Sequence, residues 1–351
     1  MKPSAHIPPL PRYLALAYTA LVIYASLHPF SGWRDLGVSP LDFLDAGWPR
    51  WWTGFDLAVN TLVYLPLGYL LTLALSRKTG RWLPAMLGAL LAALISFGLE
   101  AAQTWLPTRV PSNLDLACNT LGGVVGAFAA WRSGTRALVS MAHWERRLVA
   151  PVPHAEFGLI LLGLWLLTQL SPETLLFGAG DFRQLLGLSS AIAYAAPSFF
   201  AFEVLVITCN TVAIGLIART LLADRSSPHA VLLLFFFVAL FVRAVSATLL
   251  VGPREAMAWL TPGAGLGLAA GATVLIGALF VPAAWRVALA GLALMAGTVL
   301  VNLAPTNPYS MAALATWRQG HFLNFNGLTR LIASLWPFLA LPYLMLLGRR
   351  L

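Results

Sequence analysis

The stretch FDLAVNTLVYLPLGYL, residues 55–70, is an apolar run with an acid and an amide at its start. A second run, LDLACNTLGGVVGAF at residues 114–128, repeats the same Asp-Leu-Ala-x-Asn-Thr-Leu pattern. In each run the amide follows the acid by four residues, as Asn60 follows Asp56 and Asn119 follows Asp115. The two side chains of each pair therefore lie on one helix face. Each run therefore predicts a hydrophobic helix that presents polar side chains at its first two turns.

The composition places the chain among membrane proteins. Hydrophobic residues make up 59% and charged residues 10% of the 351 residues, whereas a soluble domain has about a quarter of its residues charged. Many apolar runs approach the roughly 20 residues that cross a bilayer core as a helix. We expect an all-α, polytopic membrane protein with about ten transmembrane helices, at residues 12–29, 57–76, 83–104, 113–131, 155–171, 198–222, 230–251, 263–281, 284–303 and 327–347.

Basic residues suggest how the chain is organised. The longest basic connection between predicted helices divides the chain into a four-helix unit (1–132), a basic cytoplasmic linker (133–154) and a second unit of about six helices (155–351). Lys and Arg gather in cytoplasmic loops, and their distribution favours both termini in the cytoplasm. The formal net charge of +9 fits this bias and contact with anionic lipid, so we expect no nucleic-acid partner.

This topology brings the polar residues of the first four helices to one depth on the outer side. Glu100 and Gln103 end the third helix, and its exit loop carries Arg109. Polar residues in membrane helices usually face the bundle interior or a wet cavity. We therefore expect an outward-facing polar pocket formed by His28, Asp56, Asn60, Glu100, Gln103, Arg109, Asp115 and Asn119.

A simpler structural reading stands beside the pocket. Asp56 and Asp115 can cap their helices by accepting free backbone N–H groups. Glu100 lies near a helix C-terminus, where the dipole disfavours an anion, so it needs a partner, and Arg109 is the nearest candidate in sequence. Gly122 and Gly126 form a GxxxG pattern that permits close helix contact.

These residues resemble the VanZ-like family of bacterial membrane proteins over about residues 10–132. The resemblance rests on HPF at 28–30, on Asp56 and Asn60 followed by PLG at 66–68, on E-x-x-Q at 100–103, on Arg109, and on SNLD at 112–115 with Asn119 and the glycines. It implies the bacterial cell envelope as the setting and a link to resistance to the glycopeptide teicoplanin. The expected location is the bacterial cytoplasmic (inner) membrane, with several passes.

The C-terminal unit contains two lone charges in predicted membrane helices, Glu203 and Arg243. Charges of opposite sign inside a membrane usually pair. We therefore predict a structural ion pair between them.

Three functions fit the sequence. The pocket binds a membrane lipid headgroup, a lipid-linked cell-wall precursor or a glycopeptide. Alternatively, the protein is an enzyme on a lipid-linked substrate with Glu100 or His28 as the acid-base group, or a lipid or small-molecule transporter. No cofactor and no recognised metal site are predicted, although the three carboxylates permit a divalent cation.

Overall fold

The structure is a computed structural model that describes residues 10–49, 52–76, 81–171, 174–186, 188, 190, 192–224, 227–250, 252–306 and 323–349. Across these residues the secondary structure is helical, apart from one isolated backbone bridge between Val149 and Leu222. The helices are α1 Leu10–Leu27, α2 Asp42–Asp45, α3 Gly54–Leu75, α4 Trp82–Gln103, α5 Asn113–Leu148, α6 Ala155–Thr168, α7 Arg183–Leu186, α8 Ala196–Leu221, α9 Pro228–Leu250, α10 Pro262–Ala278, α11 Ala283–Leu303 and α12 Leu323–Gly348, with a 3₁₀ turn at Pro253–Glu255.

The ten apolar helices predicted from the sequence are all present. Within the described residues, eight are long and apolar enough to cross a membrane, and α6 and α10 are shorter apolar helices. Large side chains such as Leu90, Leu94 and Phe237 lie exposed on the outer surfaces of their helices. Exposed apolar surface on so many helices suits contact with lipid rather than water, which confirms a polytopic all-α membrane protein.

The chain splits into two compact units, Met1–Glu145 and Arg146–Leu351. The boundary falls inside the segment predicted as a basic linker. Most of that segment is helical, because α5 continues from the membrane run to Leu148. Hydropathy marks where the apolar run stops, but no proline interrupts the chain until Pro151, and the helix ends just before it.

In the first unit, α1, α3 and α4 pack against one another around Val22, Tyr64, Leu67 and Leu99. Helix α5 approaches α3 and α4 through glycines. A methyl group added at Gly122 would lie 2.2 Å from the Thr61 carbonyl oxygen, and one at Gly126 would lie 2.0 Å from that of Leu65. The GxxxG pattern is therefore confirmed as a close backbone contact, and it fixes α5 against α3.

In the second unit, α8 lies against both α10 and α11, and α12 packs against α6 and α11. The buried core includes Trp165, Phe177, Ile214 and Trp336. The Trp336 indole donates to the Leu161 carbonyl oxygen at 2.7 Å, which satisfies its polar atom inside the core.

Candidate functional site

Asp56 lies in the first turn of α3 and closes a capping box with Thr53. The Thr53 hydroxyl accepts a hydrogen bond from the Asp56 N–H at 3.1 Å, and the Asp56 carboxylate accepts from the Thr53 N–H at 3.0 Å. These reciprocal bonds satisfy backbone donors that the helix leaves free. Asp56 therefore caps α3, as one interpretation of the sequence proposed, and its side chain remains partly exposed.

The start of α5 repeats this arrangement with a different outcome. The Ser112 hydroxyl accepts from the Asp115 N–H at 3.2 Å, as Thr53 does from Asp56. The Asp115 carboxylate, however, accepts a hydrogen bond from the Asn60 amide of α3 at 2.8 Å. The two copies of the repeated motif are therefore joined, the amide of the first to the acid of the second.

Glu100 finds its partner in the backbone rather than in Arg109. It is 4% exposed, and its Oε2 accepts from the Ser112 N–H at 2.9 Å. Although Glu100 ends one helix, it faces the beginning of the next, where free N–H groups favour an anion. Arg109 lies within electrostatic range of Glu100 but forms no ion pair with it.

Arg109 instead holds the end of α1. Its guanidinium donates to the carbonyl oxygens of Ala25 at 3.1 Å and His28 at 2.9 Å and 3.2 Å. Gln103 adds a bond of 3.2 Å to the Ser26 carbonyl oxygen. Burial lowers the pKa of the Arg109 guanidinium, and the nearby Glu100 carboxylate opposes that shift. A cation and an amide thus satisfy the last carbonyl groups of the helix.

The ring of His28 lies at the same end of the first unit. Its Nδ1 forms a hydrogen bond of 2.7 Å with the Tyr24 hydroxyl, one turn back along α1. The His28 side chain is partly exposed, whereas its carbonyl group accepts from Arg109. Through these contacts His28 lies with Gln103 and Arg109 at the end of α1.

Asn119 lies one turn deeper than Asp115 and is 6% exposed. Its amide donates to the Ser96 hydroxyl at 3.0 Å, but its Oδ1 is buried and makes no hydrogen bond. The Tyr64 hydroxyl is also buried, and it lies beside the Ser96 hydroxyl and within electrostatic range of Glu100. Buried polar groups without partners are unusual and mark a place where water or a ligand group can bind.

Sequence reasoning missed Tyr64, Ser96 and both capping hydroxyls. Tyr64 follows Asn60 by four residues, and Ser96 precedes Glu100 by four, so each lies on the polar face of its helix. The pattern Ser/Thr-x-x-Asp at Thr53 and Ser112 is the signature of a capping box. These spacings in the sequence could have identified all four residues as part of the site.

The structure therefore arranges the predicted residues in two linked groups. We call the whole region the polar end. In the first group, Asn60, Glu100, Asp115 and Asn119 connect α3, α4 and the start of α5, and Asp56 caps α3 beside them. In the second group, Gln103 at the end of α4 and Arg109 in the following loop bind the end of α1, where His28 lies. Asp115 is close enough to Asp56 and to Glu100 for like-charge repulsion. Among the described residues, no three His, Cys, Asp or Glu side chains are grouped closely enough to hold a metal ion.

Glu203 and Arg243 in the second unit form no ion pair with each other. Arg243 is 4% exposed, and its guanidinium donates to the carbonyl oxygens of Ser171 and Thr174. Glu203 lies beside Gly263 and interacts with Thr261 at the start of α10. The predicted ion pair is therefore not formed, and the contacts described for both charges include backbone and helix-end groups.

Comparison with known proteins gives one family. No curated protein and no solved structure matches the chain. The family model described as VanZ/LLP1 matches residues 12–135, which covers α1, α3, α4 and the membrane part of α5 and includes every residue of the polar end. The N-terminal part of this chain, residues 12–135, is a VanZ-like region.

Proposed function

We propose that the chain is a multi-pass protein of the bacterial cytoplasmic membrane whose VanZ-like region binds the polar part of a membrane lipid at an outward-facing polar end. The observation that carries this proposal is the Asn60–Asp115 hydrogen bond of 2.8 Å. It holds together two half-exposed side chains from different helices, beside a third half-exposed group, Asp56. A binding site needs such groups fixed in advance, because pre-organisation reduces the entropy lost on binding.

The charges at the polar end favour a ligand rich in hydroxyl or amine groups. Asp56 and Asp115 supply partly exposed carboxylates and Glu100 is buried, whereas Arg109 directs its bonds to the carbonyl oxygens of Ala25 and His28. Ionised carboxylates only accept hydrogen bonds, so they suit hydroxyl and ammonium donors and repel phosphate. A lipid-linked glycan or an amine-bearing headgroup therefore fits this end better than a bare phosphate.

This chemistry suggests how the protein relates to glycopeptide resistance. A lipid-linked cell-wall precursor carries sugar hydroxyl groups, and teicoplanin is itself a glycosylated peptide. Binding either molecule at the outer membrane surface changes how the antibiotic meets its target. The proposed link to teicoplanin rests on the VanZ/LLP1 match over residues 12–135.

The binding proposal is tested by native mass spectrometry of the purified full chain. The probes are a polyprenyl-linked disaccharide, phosphatidylethanolamine and phosphatidylglycerol. The double variant Asp56→Ala plus Asp115→Ala should retain roughly tenfold less of the glycan or amine-bearing probe, because each lost contact to a charged group is worth about 1 kcal/mol or more. Equal retention by wild type and a folded double variant would refute the proposal.

Asp42→Ala plus Asp45→Ala is the matched control. Both residues are exposed in α2, between the end of α1 and the start of α3, so this variant removes the same two charges from the same end. It should retain the probes as wild type does. Consumption of the disaccharide probe, lost in Glu100→Gln or His28→Ala, would instead identify an enzyme.

A cell-based measurement tests the resistance step. Expression of wild-type protein in a teicoplanin-susceptible bacterium should raise the inhibitory concentration, and the Asp56→Ala plus Asp115→Ala variant should abolish that rise. The α2 control variant should preserve it. An unchanged inhibitory concentration with wild-type protein would reject teicoplanin as the relevant antibiotic while leaving the lipid-binding result to stand alone.

A further inference from the structure

A second feature of the first unit lies at the opposite end of its helices. A cavity of about 360 Å³ is lined by Arg81, Trp82, Trp131 and Arg132. Trp82 begins α4 and Gln103 ends it, so the cavity is about 30 Å along the helix from the polar end, at 1.5 Å rise per residue. That separation equals the hydrocarbon thickness of a bilayer. The cavity therefore lies at the other membrane surface.

The aromatic walls of the cavity suit the boundary between headgroups and acyl chains. The rings of Trp82 and Trp131 lie with their centroids 4.3 Å apart, and Phe128 packs on Trp131 at 5.3 Å. Trp82 is 63% exposed although it is among the largest apolar side chains. Tryptophan is enriched at this depth because its ring prefers the interface and its N–H finds polar partners there.

The charge at this cavity is positive and uncompensated. Arg81 and Arg132 are exposed, come from different elements, and pair with no carboxylate within the described residues. Arg81 immediately precedes α4, where the helix dipole is already positive and disfavours a cation. Two guanidinium groups and a helix start of like sign together attract an anion to the cavity.

We propose that this cavity binds a phosphate group at the membrane surface. Two guanidinium forks match phosphate oxygens through charge-assisted, bidentate hydrogen bonds. The paired Trp rings then contact the apolar part next to the phosphate, as in an anionic phospholipid. The size is within the range of small-molecule sites, about 300–1,000 Å³. This site is separate from the polar end, whose carboxylates favour hydroxyl and amine donors instead of phosphate.

The test measures retention of phosphatidylglycerol by the full chain in native mass spectrometry, with phosphatidylcholine nanodiscs as the background. Arg81→Gln plus Arg132→Gln should lower the apparent affinity roughly tenfold to thirtyfold, since each direct hydrogen bond lost to the charged phosphate is worth about 1 kcal/mol or more. The matched control is Arg12→Gln plus Arg136→Gln. These exposed residues lie at the same end in α1 and α5 but do not line the cavity.

The control pair should lose no more than about twofold, since it changes only the general surface charge. An equal loss in both double variants, or no loss in the cavity variant, would overturn the proposal. Because all four arginines are exposed, thermal unfolding should be unchanged in each variant, and this is checked first. Arg81→Lys plus Arg132→Lys should recover part of the affinity, because charge returns without the planar fork.

A competition measurement identifies the source of the phosphate. If millimolar inorganic phosphate displaces phosphatidylglycerol from wild type, the site takes free phosphate as well as lipid. If it does not, the site takes the lipid headgroup alone. Either result supports the phosphate site, provided that the cavity variant loses the binding and the control pair does not.

Discussion

Asn60 and Asp115 lie 55 residues apart in the chain and are joined by a hydrogen bond of 2.8 Å between Nδ2 and Oδ1. The bond links α3 to α5 at the end where both helices begin. About two to three turns further along α5, Gly122 and Gly126 allow its backbone to reach that of α3. The polar bond and the close packing therefore support each other. Four predictions test the energetics of the first unit, and a fifth tests two charges of the second unit.

The Asn60–Asp115 bond should appear as a coupling energy. In a double-mutant cycle with Asn60→Ala and Asp115→Ala, we expect a coupling of roughly 0.5–2 kcal/mol, the range for polar contacts between membrane helices. The measurement is reversible unfolding in detergent. Thr61→Ala replaces Asn60→Ala in a control cycle, because the Thr61 hydroxyl bonds only within α3, to Leu57. A coupling near zero for Asn60 would contradict the structure.

Glu100 should tolerate loss of its charge better than loss of its acceptor. Glu100→Gln keeps an oxygen for the Ser112 N–H and should cost less than about 1 kcal/mol of unfolding free energy. Glu100→Leu leaves that buried N–H unpaired and should cost about 1–3 kcal/mol. Thermal and denaturant unfolding measure both. Equal losses in the two variants would indicate an ion pair with Arg109 instead.

Gly122 should not accept a side chain. Gly122→Ala places a methyl group 2.2 Å from a backbone oxygen, and separating the helices should cost about 1–3 kcal/mol. Gly98→Ala is the matched control, since that helical glycine has nothing within 4 Å of an added methyl group. It should raise stability by up to about 1 kcal/mol through helix propensity. Thermal unfolding and the folded yield distinguish the two outcomes.

Arg109 should protect the end of α1. Arg109→Ala removes three bonds to the carbonyl oxygens of Ala25 and His28, so hydrogen exchange in the last turn of α1 should accelerate about tenfold or more, since about 1.4 kcal/mol corresponds to a factor of ten. Arg109→Lys should protect only in part, because an ammonium group lacks the fork. Arg34→Ala, at an exposed loop residue, should leave the exchange unchanged. Equal acceleration in the two alanine variants would rule out this role.

Glu203 and Arg243 should behave independently. Because they form no ion pair, Glu203→Gln and Arg243→Met should be additive to within about 0.5 kcal/mol in a double-mutant cycle. Arg243→Met alone should be strongly destabilising, since it leaves the carbonyl oxygens of Ser171 and Thr174 without their donor. A coupling of several kcal/mol would restore the ion pair predicted from the sequence.

The sequence by itself determined the helices and the level at which polar residues lie. Apolar runs long enough to span a bilayer must be helical, because lipid offers no partners for backbone groups. Successive membrane helices run in opposite directions, so Asp56, Glu100, Arg109 and Asp115 lie at the same end of the first unit. The apolar pattern could not show that α5 continues to Leu148, because hydropathy reports burial in lipid and not the end of a helix.

Only the tertiary structure decided which polar atoms meet. Sequence reasoning paired Glu100 with Arg109 and Glu203 with Arg243. The structure forms neither pair: Glu100 accepts from a backbone N–H, and the contacts of Arg109 and Arg243 include backbone carbonyl groups. Every residue carries a backbone donor or acceptor that the sequence letters do not display. Where helix ends meet, these groups are free and partly charged, so they compete with side chains for each buried ion.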